Sequence, residues 1–167
     1  MKTITDTPRA SWLLRISAAL WVVWGFVHML AGVLTMAQDT PEAVQGIADG
    51  VEPALLEMDY PDAVGAIVNQ HGFNLLWIGL FTLVCAPFIW RRGVAAVFLA
   101  AIVGGTTDVG YFVFIDLGGF ANFVPGTVMT IVSATAIITS LTAYFTDPAR
   151  STSVATPTAA HSEASSR

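Results

Sequence analysis

Four long runs of apolar residues, at about 16–37, 71–90, 94–116 and 124–145, alternate with shorter polar segments along the chain. Each run exceeds the roughly 18 residues that mark a membrane-spanning helix, because about 30 Å of hydrocarbon must be crossed at 1.5 Å per residue. Trp12 and Arg15 flank the first run, an aromatic for the headgroup level and a cation that snorkels towards water. The second ends on Arg91-Arg92, with Pro87 placed to bend its last turn. The third leaves the hydrocarbon near Asp116 and is followed by a Gly118-Gly119 turn; the fourth opens around Val124-Pro125 and closes at Thr146-Asp147-Pro148. Short connections after the second and third runs make each pair antiparallel neighbours. The pattern predicts an all-α membrane bundle of four helices, up-down-up-down.

The connection between the first two runs, 38–65, is too long for a simple loop and carries its own helix signals. Thr40-Pro41-Glu42 reads as an N-cap, a proline in the first turn and an acid beside it, with Gly50 at the far end. Ala43, Val44, Ile47 and Ala48 repeat at helical spacing, so a short amphipathic cap helix is expected, and Tyr60-Pro61-Asp62 opens the next long helix a turn or two above the bilayer. Residues 1–147 form one membrane domain on this reading. The Ser-, Thr- and Ala-rich stretch 148–167, with His161, is expected to be a disordered cytoplasmic tail, because it has too little apolar surface to bury.

Composition reinforces the membrane assignment: 54% of residues are hydrophobic and 11% charged, too few charges to cover a water-facing surface. The net charge of −5 is unevenly spread. Every Lys and Arg lies before the first run, between the second and third, or after the fourth, whereas the cap carries only acids: Asp39, Glu42, Asp49, Glu52, Glu57, Asp59 and Asp62. Basic flanks stay cytoplasmic, so both termini are expected inside and the acidic cap outside. The scattered cations form no cluster for nucleic acid. Cys85 stands alone, which excludes an internal disulfide and any multi-thiolate metal site. The first run is longer than the 7–15-residue core of a cleaved signal and contains Trp21, Trp24 and His28, so it is read as a retained span.

Polar residues inside the runs carry the candidate chemistry. Counting from the inner end of each span at 1.5 Å per residue puts His28 about 18 Å, Asp108 about 21 Å, Thr130 about 22 Å and Asn74 about 24 Å deep. One polar side chain per span therefore shares a level in the outer half. Gly25, His28 and Gly32 share a face of the first span; Gln70, Asn74 and Trp77 share one on the second; Gly104, Asp108 and Tyr111 share one on the third. Thr127, Thr130 and Ser133 lie along the fourth, while the inner halves contain almost nothing polar. This predicts a wet, outward-opening pocket above a dry plug, with Trp24 and Trp77 deep enough to line it and the Gln70-His71 pair at its mouth. An ionised carboxylate at Asp108 costs on the order of 2.5–3.5 kcal/mol unless it faces the bundle and finds partners. His28 is the natural partner, with Asn74 and Tyr111 as orienting donors and Thr106 and Thr107 close by. The plainer alternative is that these groups only fix helix register through interhelical hydrogen bonds, worth about 0.6 kcal/mol each.

Other chemistries fit less well. His71 lies roughly 10 Å above His28, which disfavours a bis-histidine haem or a metal held by His28, His71 and Asp108. No phosphate loop, HExxH or nucleophile elbow is present, and no inverted repeat of a transporter is evident. The sequence thus names no cofactor and no catalytic residue.

Trp24-Gly25 and His28 in the first span, with glycine-rich second to fourth spans, resemble the small bacterial inner-membrane proteins of the DoxX-like type. The resemblance covers the four-span region and implies a bacterial inner-membrane location with an accessory or redox-linked role. Two functions are expected from these readings: a polar pocket that binds a small or lipophilic ligand or relays a proton, or a non-catalytic subunit whose acidic cap docks a membrane partner or a second copy.

Overall fold

The computed structural model describes residues 2–149, and the tail expected from residue 148 lies, from residue 150 onward, outside the described residues. Helix α1 spans Pro8–Ala37, α2 Thr40–Ile47, α3 Asp62–Trp90, α4 Val94–Tyr111 and α5 Val128–Phe145. A π-helical turn, Phe112–Asp116, continues α4, and the segment Phe123–Thr127, kinked at Val124 (φ −116°, ψ 128°), leads into α5. With these extensions, four helices are long and apolar enough to cross a membrane: Pro8–Ala37, Asp62–Trp90, Val94–Asp116 and Phe123–Phe145. This is an all-α, multi-pass integral membrane protein. Among the described residues there is no strand, only a single bridge between Thr3 and Gly93.

Local chemistry sets the helix ends. Thr7 caps α1 by accepting the Ala10 N–H, and Pro8 at the first helical position has no N–H to leave unpaired. The start of α1 at residue 8 adds two turns below the apolar run expected from residue 16, because hydropathy marks where lipid begins and capping marks where a helix begins. In the cap, Asp39 rather than Thr40 is the N-cap and accepts the Glu42 N–H at 3.0 Å. Helix α2 ends at Ile47, short of Gly50, and a 3-10 turn, Pro53–Leu55, follows. Asp49 then ties the cap to the α4–α5 connection, accepting the Asn122 N–H at 2.7 Å on its side chain and the Asn122 amide at 2.8 Å on its carbonyl.

The four spans form a square in chain order. Helix α1 makes its most extensive contact with α3 and the next with α5, while α4 packs on α3 and α5. The inward stripes are built from small residues: Ser17, Ala18, Gly25 and Gly32 on α1; Gly72, Gly79, Thr82, Cys85 and Ala86 on α3; Ala100 and Gly104 on α4; Ser133, Ala136, Ser140 and Ala143 on α5. Large apolar side chains such as Phe26, Leu30, Ile67, Phe73 and Ile138 point outward. Lipid solvates large side chains as well as a core does, so interiors select residues that let backbones approach. Two glycine pairs take this to its limit. A Cβ on Gly25 would lie 2.8 Å from the Gly79 carbonyl oxygen, and one on Gly72 would lie 2.9 Å from that of Gly32. Both pairs are separated by seven residues on each helix, a strict antiparallel register.

The expected dry inner plug is not free of polar groups. Ser17, Thr82 and Ser140 are fully buried there, but each hydroxyl is neutralised by a main-chain carbonyl. Ser17 donates across to Ala136 at 2.8 Å, a bond between α1 and α5, while Thr82 and Ser140 bond their own helices. The N-terminal arm closes this end. The Ile4 side chain is buried, its N–H donates to the Arg92 carbonyl at 2.9 Å, and the Thr5 N–H reaches Asp147 at 3.2 Å.

Candidate functional site

Trp21, Trp24 and His28 follow i, i+3, i+7 on α1 and face α4. Trp21 is fully buried, and its ring sits where a Cβ on Gly104 would stand, so the missing side chain on α4 makes room for the indole. One turn further out, the Trp24 Nε1–H donates to Asp108 Oδ2 at 2.8 Å, a buried bond between the first and third spans. The His28 ring stacks on Trp24 with centroids 3.6 Å apart. Its Nδ1 lies 2.9 Å from the Trp24 carbonyl oxygen and its Nε2 3.8 Å from Asp108 Oδ1. Asp108 is 4% exposed.

This arrangement fixes the tautomer of His28. A carbonyl oxygen only accepts, so Nδ1 carries a hydrogen, and the neutral ring then presents the Nε2 lone pair to Asp108. One further proton has two homes, Nε2 or Oδ1, giving either an imidazolium facing a carboxylate or a neutral ring facing a carboxylic acid. Without that proton, a lone pair would face a buried anion. Ser133 on α5 also lies against the Asp108 carboxyl, and its hydroxyl donates to the Thr130 carbonyl at 3.0 Å.

The other expected site residues divide. Thr130 belongs to the neighbouring turn of α5 and its Oγ1 is buried with no hydrogen-bond partner among the described residues. Tyr111 sits one turn above Asp108 on α4, and its ring and hydroxyl fill the space left by the missing side chain of Gly126. It packs the outer end, and the side chain that donates to Asp108 is Trp24. Beyond it, Thr127 donates to Asp116 at 3.1 Å. Thr107 bonds the Val103 carbonyl of its own helix and Thr106 is exposed.

Among the described residues the second span supplies no hydrogen bond to this centre, although the His71 imidazole lies near enough to act electrostatically on His28. The Asn74 side-chain oxygen accepts from Trp77 Nε1 at 3.2 Å on the outer face of α3, where Trp77 is 42% exposed, and Gln70 and His71 are exposed beside them. Depth was shared but direction was not: the buried stripe of α3 is set by Gly72 and Gly79, and Asn74 lies nearly half a turn around from it. The polar layer is therefore a packed cluster of α1, α4 and α5 and not an open pocket. Among the described residues, no three His, Cys, Asp or Glu side chains group as a metal site. The direct Trp24–Asp108 bond was detectable in principle from the i, i+4 spacing of Trp24 and His28.

Comparison with family models, curated proteins and solved structures gave no match, so the functional reading rests on this geometry.

Proposed function

We propose that this protein is a proton-holding, proton-relaying membrane protein of the bacterial inner membrane, with both termini cytoplasmic and the acidic cap outside. The observation that carries the reading is the His28–Asp108 pair, 3.8 Å apart, with the far ring nitrogen already committed to the Trp24 carbonyl. Asp108 accepts and stores the proton, His28 shares it, and Trp24 holds both: its N–H on the acid, its carbonyl on the imidazole, its ring against the ring. The close packing around Asp108 favours a proton over a larger ligand. Basic flanks at one end and acids at the other support the orientation. The relation to DoxX-like proteins belongs to the same proposal and is supported by the Trp24-Gly25 and His28 stretch, whose two aromatic rings meet Asp108.

The test is proton uptake by proteoliposomes holding a pH-sensitive dye under an imposed potential. Uptake above that of empty vesicles should vanish in Asp108→Asn and His28→Gln and persist in Asn74→Ala. Wild-type uptake no faster than in empty vesicles, or uptake unchanged in Asp108→Asn, removes the reading.

A second reading, an accessory subunit docking a membrane partner or second copy through the cap, draws support from one feature. The cap is pinned by Asp49 to Asn122 yet leaves Leu55 and Met58 exposed, 70% and 58% respectively, among its acids. Deleting residues 40–58 should then abolish co-purification of a partner while Asp108→Asn leaves it intact.

A further inference from the structure

At the basic end of the bundle, far from the proton site, a cleft of about 300 Å³ is lined by Asp6, Ser11, Arg15, Trp90, Arg91 and Arg92. A groove of about 490 Å³ continues from it, sharing Trp90 and Arg91 and walled by Ala18, Ala19, Val22, Ala86 and Pro87. The cleft is polar and cationic, the groove apolar, and the two meet at one tryptophan and one arginine.

Charges in the cleft are unbalanced. Arg92 pairs with Asp6, and Asp6 also accepts from Ser11 at 2.8 Å. Arg15 lies over the Trp90 ring at 5.3 Å, a cation–π contact that leaves its N–H edge open. Arg91 is exposed and has no carboxylate partner among the described residues. Three guanidinium groups thus face one carboxylate. Below them, Arg15, Ala18, Ala19 and Val22 follow i, i+3, i+4, i+7, one stripe of α1. Val22 lies about 10 Å deeper than Arg15 at 1.5 Å per residue. Ala86 and Pro87 on the facing turns of α3 keep this stripe open as a channel in a surface that elsewhere carries large side chains.

We propose that the cleft and groove together bind one anionic glycerophospholipid, the phosphate between Arg15 and Arg91 and one acyl chain along Ala18, Ala19 and Val22. A free anion would use the arginines but leave the groove idle. A zwitterionic lipid would fill the groove but bring an ammonium to a cationic cleft. Only an anionic lipid matches both halves, and basic pockets between spans at the cytoplasmic face are where such headgroups are held.

The experiment is lipid retention by the full chain in neutral detergent, read by native mass spectrometry after titration with phosphatidylglycerol, phosphatidylcholine or inorganic phosphate. Phosphatidylglycerol should be retained in preference to phosphatidylcholine, and inorganic phosphate should not displace it. Arg15→Gln and Arg91→Gln should each lower retention roughly fivefold, and Ala19→Phe should lower it by filling the groove with every charge in place. Asp6→Asn should raise it by releasing Arg92. These side chains are exposed, and circular dichroism of each variant checks that the helices remain. Equal retention of phosphatidylcholine, displacement by inorganic phosphate, or retention unchanged in the arginine variants overturns the proposal, the second outcome marking a site for free anions.

Discussion

The smallest side chains have the sharpest consequences. A Cβ on Gly79 would stand 2.8 Å from the Met29 main-chain nitrogen, whereas one on Gly110 would meet nothing within 4 Å. Gly79→Ala should therefore cost about 1–3 kcal/mol, the usual penalty for forcing volume into a packed contact. Gly110→Ala should instead stabilise by about 0.4–1 kcal/mol by restricting the unfolded chain. Reversible unfolding in mixed micelles measures both. Trp24→Phe keeps the ring against His28 but removes the N–H on Asp108, and should cost about 0.6 kcal/mol, at most about 1.7. His28 and Asp108 were legible as a level, since helical rise converts residue counts into depth. Level does not give direction: that depends on which stripe a helix buries, and on α3 the stripe is chosen by two glycines that carry no chemistry of their own, which leaves Asn74 turned away from Asp108.

At the scale of elements, the N-terminal arm and the end of α3 form one latch. Helix α3 stops with Arg92 at φ 66°, its N–H bonded to the Ile89 carbonyl and the Gly93 N–H to that of Phe88, both at 2.8 Å. This is a Schellman turn whose left-handed position holds arginine where glycine is usual. That conformation costs roughly 1–2 kcal/mol in a residue with a Cβ, and the same residue binds Asp6 and offers its carbonyl to Ile4. Arg92→Gly should leave the fold no less stable in micelle unfolding, whereas Arg92→Val, a branched side chain in the same conformation, should destabilise it. The Arg92 guanidinium and then the Ser11 hydroxyl hold Asp6 below its ordinary value of 3.8. A depressed carboxylate stabilises above its unfolded value and loses that contribution as pH falls through the folded one. Acidification below about 3.8 should therefore speed amide hydrogen exchange at Ile4 and Thr5, corrected for intrinsic rates, and Asp6→Asn should remove the step. The four long helices were readable from apolar length and the acidic cap from its turn and capping residues. The arm was not, because a few unremarkable residues gain their fixed place from the Arg92 carbonyl, the Val94 N–H and Asp147, far away in the chain.

For the molecule as a whole, the proposed function depends on a contact that crosses the bundle: Trp24 and His28 stand on one span and Asp108 on the span diagonal to it. The stacking of His28 on Trp24 makes this centre visible from outside. Protonating the imidazole should quench Trp24, so the fluorescence difference between the wild type and Trp24→Phe should fall as pH is lowered. The step should be absent in His28→Gln and displaced in Asp108→Asn. A difference spectrum insensitive to both substitutions would mean that no proton is exchanged there. The antiparallel glycine pairs add a constraint on how such an exchange is accommodated. With backbone against backbone at Gly25–Gly79 and Gly32–Gly72, α1 and α3 are geared together and cannot slide by less than a full tooth. On the proposed function, any displacement on protonation is expected in α4 and α5 and not between α1 and α3. Spin labels at Phe26 and Leu80 should keep one separation at every pH, while a pair at Phe26 and Val109 should report any displacement of α4.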